Sequence, residues 1–284
     1  MKTKISILFV LILLYSIIII PFTHYMKERP FVEKMGYLPA NDALKFLSAD
    51  QKQAVGASLI LKVLMYFGGQ VSSKDIEVKA TIDYKAMSRT IHSALHLDPY
   101  NLDGYYFAQA ILVWDVKQYQ VANTLLQYGM KYRTWDWYLP FFAGFNYAYF
   151  LHDYPNAAKM YMRAGELSGE PLFKKLAGRY LQQGGQTAMA IAYLSTMEKG
   201  ARDKSIRESF HLRIIAFKRA LLIEKAQGRF IADHGQRPSA IQDLVLAGYL
   251  KEIPVDPYGG KFYLEPDGSV NTTSKFAFAG VMNH

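Results

Sequence analysis

His92 and His96 stand four residues apart, a spacing that puts two imidazoles on one side of a helix within reach of a single metal ion. A metal-dependent enzyme built on them needs a third and a fourth ligand. The Glu of an H-E-x-x-H motif is missing and no further ligand converges in the sequence, so the pair reads as structural. The carboxylates Asp98 and Asp103, and Asp153 and Glu166, fall in turns or on helix surfaces. Acid-base work requires such groups to be buried and convergent. The glycine pairs Gly68-Gly69, Gly184-Gly185 and Gly259-Gly260 sit at expected helix ends and turns, where backbone geometry accounts for them. No G-x-S-x-G, G-x-G-x-x-G or G-x-x-x-x-G-K pattern occurs. With no cysteine in the chain, disulfides, thiolate zinc sites and iron-sulfur ligation are excluded. The residues therefore point to binding, with no enzyme site and no cofactor.

The elements that would position a binding surface begin with an apolar segment. Ile5 to Phe22 carries no charge, and at about 1.5 Å per residue it spans roughly 27 Å of hydrocarbon. A cleaved signal peptide is the competing reading, but the run is long and isoleucine-rich, and no small-x-small cleavage site succeeds it. An uncleaved single-pass anchor in an inner membrane is expected. Lys2 and Lys4 precede it, and the short N-terminus favours an inside orientation with the bulk of the chain periplasmic.

The whole sequence has 51% hydrophobic and 14% aromatic residues, a load too high for a disordered body. Its formal charge of +9 suits anionic headgroups or an acidic protein partner, or serves solubility alone. Nucleic acid is not expected, because the basic residues are dispersed and form no run of five.

Within the body Tyr84, Tyr119 and Tyr154 lie 35 residues apart. In step with them come Met87, Ala122 and Ala157, then Ile91, Leu126 and Tyr161, then Ala94, Gly129 and Ala164. Ala190, Leu194 and Met197 form a further copy. This recurrence of aromatic, small, large and small resembles the second helix of a tetratricopeptide (TPR) repeat. First-helix counterparts are Tyr106, Ala110 and Val113; Gly144 and Ala148; and Ala177, Gly178 and Leu181. The turn Leu97-Asp98-Pro99-Tyr100-Asn101 carries the proline of such repeats. Small residues at helix crossings let backbones approach, and hairpins that cannot bury both faces alone must stack.

The resemblance implies an all-α, TPR-like helical-hairpin solenoid over residues 82–200. Residues 1–24 are then the anchor, and 25–81 are connecting helices and a loop that make an incomplete first repeat. In that region Ser48-Ala49-Asp50-Gln51 has the form of a capping box opening a helix that carries Leu59, Val63, Tyr66 and Phe67 and stops at Gly68-Gly69, with 70–81 as an inserted loop. In this family the first helix of each repeat lines the concave face. Carried over, that register places Phe107, Ile111 and Trp114 there from one repeat, Phe142, Asn146 and Tyr149 from the next, and Lys175, Arg179 and Gln182 from the last. Such a face suits an extended or helical peptide with an acidic end; the competing reading makes the aromatics core and the cations solvated. The family's paired Lys and Asn clamp for a C-terminal carboxylate is not reproduced.

Residues 201–236 read as one long capping helix from Asp203 to His234, with Ile206, Phe210, Ile214, Phe217 and Leu221 as its buried stripe. Arg207, His211, Lys218, Lys225 and Arg229 form a second line, either solvated or in contact with anionic headgroups or an acidic protein. Residues 237–284 make a small α+β appendage: a capping box at Ser239-Ala240-Ile241-Gln242, a short helix ending near Gly248, and a hairpin of Lys261 to Leu264 and Val270 to Thr273 about Asp267-Gly268. Arg229-Phe230-Ile231, Arg237-Pro238, Leu250, Ile253-Pro254, Asp256-Pro257 and Gly259 resemble the stretch after the long helix of type II secretion major pseudopilins. No prepilin peptidase site precedes the apolar segment, so the likeness implies a docking element within an envelope complex rather than a polymerising pilin. The expected function is a membrane-anchored TPR scaffold for assembling envelope proteins, in a secretion or pilus-type machine. The alternative is a constitutive structural subunit of such a filament or complex.

Overall fold

The computed structural model describes residues 2–28, 31–33, 35–72 and 80–275. Among these residues the chain is 72% helical, with twelve α-helices, and divides into two compact units at Ile111/Leu112.

The first unit opens with α1 (Lys2–Glu28). Its stretch Leu8–Met26 is 19 residues of mean hydropathy 2.1 with none buried, a helix long and apolar enough to cross a membrane. Then come α2 (Asn41–Ser48), α3 (Lys52–Ser72), α4 (Tyr84–Leu97) and α5 (Leu102–Ala110). Strands β1 (Phe31–Glu33) and β2 (Ala80–Ile82) pair in parallel, a feature without a signal in the sequence. α3 lays Ile60 and Val63 against α4, whose Met87, Ile91, Ala94 and Leu95 are all buried.

Two expectations for this unit need correction. Ser48 does not cap the helix after it: its hydroxyl donates back to the Leu44 carbonyl, which closes α2, and Ala49 breaks the chain at φ +44°. Nor does Gly68-Gly69 end α3, which runs on to Ser72. Two glycines cost a helix about 1 kcal/mol each. Here the flanking side chains are held from outside, Tyr66 by accepting the Asp83 amide at 2.9 Å and Phe67 by its edge contact with Phe107. The expected loop over 70–81 lies partly outside the described residues.

The second unit holds α6 (Tyr119–Tyr132), α7 (Tyr138–Phe145), α8 (Tyr154–Ser168), α9 (Pro171–Gln183), α10 (Thr187–Gly200), α11 (Lys204–His234) and α12 (Ile241–Leu246), each packed on the next. Close packing explains the small residues. A Cβ on Gly144 would meet the Tyr161 ring at 3.1 Å, and one on Gly178 would meet Leu194 at 2.8 Å.

The three recurring tyrosines each begin a helix, α4, α6 and α8, and the residues in step with them are buried. Asp83 and Asp153 cap two of these starts by accepting from Ala86 and Asn156. The recurrence extends to the ends of the preceding helices. α5 and α7 both finish in a π-helical turn, Ile111–Asp115 and Asn146–Phe150. Both turns lead into a left-handed residue, Lys117 (φ +58°) and His152 (φ +51°), and into matching bonds from Gln118 N to Leu112 O and from Asp153 N to Tyr147 O.

α11 runs as one helix, capped by Asp203 through the Ile206 amide. Phe210, Ile214, Phe217, Ala220 and Ile223 form a core with Leu181, Ala190 and Leu194, and with Ile241, Leu244, Phe262 and Val270 of the C-terminal piece. There β3 (Phe262–Leu264) and β4 (Val270–Thr272) pair antiparallel. The cap of α12 differs from the expected box: it is the Asp243 carboxylate that accepts from the Ser239 and Ala240 amides. Asp256 is buried, and its carboxylate accepts from the Thr272 and Ser274 hydroxyls and the Tyr258 amide. Arg213, also buried, donates to Tyr258 Oη and lies over that ring, tying α11 to the Asp256-Pro257 turn.

Candidate partner-binding site

The π-helical turns set the surface of the second unit. An i→i+5 turn inserts a residue and shifts the helical phase of the side chains beyond it, so side chains three apart leave on different sides. Ile111 and Trp114 show the effect at 2% and 61% exposure, and Asn146 and Tyr149 repeat it at 0% and 63%. Trp114 and Tyr149 are 35 residues apart and hold the same place in successive turns.

Around them the rings form one cluster. Trp114 meets Phe150 edge-on at 5.4 Å, Phe150 stacks on Tyr119 at 4.3 Å, and Phe145 stacks on Tyr149 at 5.5 Å. Such pairs contribute about 0.5–1.5 kcal/mol beyond burial. The half-buried members, Tyr119, Phe145 and Phe150, thus form a rigid base that holds the two exposed rings.

Beside Tyr149 lies an open cavity of about 500 Å³ lined by Ala148, Tyr149, His152, Tyr154, Arg179, Tyr180 and Gln183. Its walls are tyrosines, with Tyr154 stacked on Tyr180 at 6.0 Å. Arg179 lies over the Tyr180 ring at 6.0 Å, and its buried Nε has no hydrogen-bond partner among the described residues. A charged donor left without an acceptor is costly, and an incoming carboxylate relieves that cost. Burial pushes the Tyr180 hydroxyl up, and the Arg179 charge opposes that shift. Tyr180 is neutral at physiological pH.

The other residues of the expected face lie elsewhere. Phe107 is half-buried against Phe67, and Ile111 is core. Phe142 packs on Phe141 and Tyr138. Asn146 is fully buried and donates to Asn123 Oδ1 at 2.9 Å. Lys175 points toward α11, donating to Ser209 at 3.4 Å, and burial with the nearby Arg213 charge lowers its pKa. Gln182 is buried and donates to the Val270 carbonyl of β4. The structure thus brings Trp114, Tyr149 and Arg179 to one surface and uses the remainder for packing. Phe145, Phe150 and Tyr180 belong to that surface, although the repeat register does not single them out; their signal is the local density of aromatic residues.

In α4 the His96 ring turns back onto its own helix. His96 Nδ1 lies 2.7 Å from the His92 carbonyl, and burial, with a smaller effect from the neighbouring His96, lowers the His92 pKa. No group of three metal ligands occurs among the described residues. A larger cavity, about 710 Å³, opens between Tyr154, Gln182, Glu224 and the β3–β4 hairpin. Its three acids are already engaged, Glu224 by the Thr187 hydroxyl, Glu265 by Tyr263 and Asn271, and Asp267 by the Ser269 amide and hydroxyl. Arg207, His211, Lys218, Lys225 and Arg229 are all exposed along α11. No protein-family model matches the chain, and no curated protein matches it.

Proposed function

We propose that this chain is a membrane-anchored scaffold that binds a partner protein through the Trp114–Tyr149 surface. Leu8–Met26 acts as an uncleaved span in an inner membrane, its N-terminus inside, and the rest of the chain is periplasmic. The 35-residue helix pairs stack as a TPR-like solenoid, and the chemistry is binding rather than bond-making. The observation that carries the reading is the exposure, at 61% and 63%, of two large rings at equivalent positions of successive repeats on a fixed aromatic base. Rigid, exposed aromatics beside an arginine have the composition of interface anchors. The pseudopilin-like tail supports a secretion or pilus-type complex as the assembly served.

The test is affinity purification of the full chain from membranes in mild detergent, comparing the native protein with Trp114→Ala/Tyr149→Ala. The side chains removed are exposed, so the helical circular dichroism signal should be unchanged. Chains that copurify with the native protein should be lost from the variant. Retention of the same chains at the same yield overturns the site.

A further inference from the structure

α3 is apolar on two sides. Its inward side, with Gly56, Ile60 and Val63, is buried. Its outward side carries Ala54, Ala57, Leu61, Leu64, Met65 and Gly68, all exposed, with Leu61 at 58% and Met65 at 70%. These keep helical spacing and make a continuous stripe. Scattered exposed apolar residues need no explanation, but a contiguous face does. α2 adds Phe46 at 84% and Leu47 at 70%.

Chain length and charge identify what covers this face. Asn41, the first residue of α2, lies 15 residues beyond the end of the apolar span at Met26, which fixes α2 within about 50 Å of that end however the chain runs. α3 has no acid in its 21 residues, and its two charges are Lys52 and Lys62. Both lysines are exposed, Lys62 at the flank of the stripe and Lys52 on the opposite side of the helix, so the stripe itself carries no charge. Asp42 and Asp50 offset Lys45 nearby, so apolar burial dominates over electrostatics. A helix whose outer face is apolar and free of acids sinks about 5–10 Å into the headgroup and acyl boundary.

We infer that the outward face of α3, with Phe46 and Leu47 of α2, docks on the surface of the bilayer in which α1 is anchored. This rests on the reading of Leu8–Met26 as a membrane span. Docking of α3 adds a second fixed point to the anchor and holds the first unit close to the membrane.

The absence of native cysteine allows a direct test. Ile17→Cys in the span, Leu61→Cys and Met65→Cys on α3, and Leu222→Cys on the exposed side of α11 are each introduced singly into the full chain. Each is spin-labelled and placed in phosphatidylethanolamine/phosphatidylglycerol nanodiscs at one chain per disc, so that no second copy covers the face. Power saturation compares accessibility to oxygen, which partitions into lipid, and to a water-soluble nickel chelate. The oxygen-to-nickel ratio at Leu61→Cys and Met65→Cys should be several-fold above that at Leu222→Cys and approach that at Ile17→Cys. A lipid-like ratio at Ile17→Cys with water-like ratios at both α3 sites overturns the docking and leaves the anchor standing. A water-like ratio at Ile17→Cys overturns the anchor, and the docking with it.

Discussion

α3 and α11 are long helices that solve the same problem differently. α11 buries Phe210, Ile214, Phe217 and Ile223 and turns Arg207, Lys218, Lys225 and Arg229 to water. α3 buries Ile60 and Val63 yet turns Leu61, Leu64 and Met65 outward. A hydrophobic stripe locates a core only where the opposite face is polar. On α11 one apolar environment suffices, whereas α3 has an apolar face on either side, and the docking proposed above assigns the outer one to the bilayer.

The contrast breaks most readily at the buried positions. Phe217→Ala in α11 removes a side chain that is fully buried and should cost about 3–5 kcal/mol in urea unfolding monitored by circular dichroism in detergent. Leu61→Ala in α3 should change stability by no more than about 0.5 kcal/mol in the same assay. A comparable loss at both positions would mean that the outer face of α3 is packed against protein.

A smaller effect sharpens the polar side of α11. Burial raises the Glu224 pKa from its ordinary value of 4.5, with partial opposition from the Thr187 hydroxyl. A raised folded-state pKa means that the folded chain holds this proton after the unfolded chain has released it. The stability contribution is then full below about 4.5 and is lost as pH rises through the folded value. Glu224→Gln keeps an acceptor for Thr187 and cannot titrate. The variant should therefore gain on the native protein as pH rises through this window, measured as the difference between their thermal midpoints.

Smallest of all, Lys218→Glu with Lys225→Glu should leave the unfolding free energy unchanged to within about 0.5 kcal/mol, because both residues are solvent-facing. A larger loss would give the basic line of α11 a structural role.

Much of this is legible in the residue pattern. Tyr84, Tyr119 and Tyr154 mark helix starts because small and large residues come after them at fixed offsets, and packing enforces those offsets through three-dimensional contacts such as Gly178 on Leu194. Asp203 to His234 is legible as one helix because its cap and the buried Phe210, Ile214 and Phe217 agree, although Ile206 and Leu221 of the expected stripe are only half-buried and Ala220 and Ile223 fill the core beyond Phe217. The binding face is only partly legible. Reading Asn146 and Tyr149 as neighbours assumes unbroken α-helical phase, and the π-helical turn at Asn146–Phe150 buries one and exposes the other. Ser48 misleads because a serine that can cap the next helix can equally bond back to its own. The fate of Gln182, held by the Val270 carbonyl far along the chain, depends on tertiary contact and leaves no local trace.

Site-specific photocrosslinking in intact cells addresses the binding surface most directly. p-Benzoylphenylalanine is placed singly at Trp114, Tyr149 and Leu222 of the full-length protein, and adducts are compared after irradiation. The same discrete adduct should form from positions 114 and 149, with none of that mass from 222. Absence of any adduct at 114 and 149, in cells where position 222 does crosslink, would contradict the assignment of the Trp114–Tyr149 surface as the place where a partner is held.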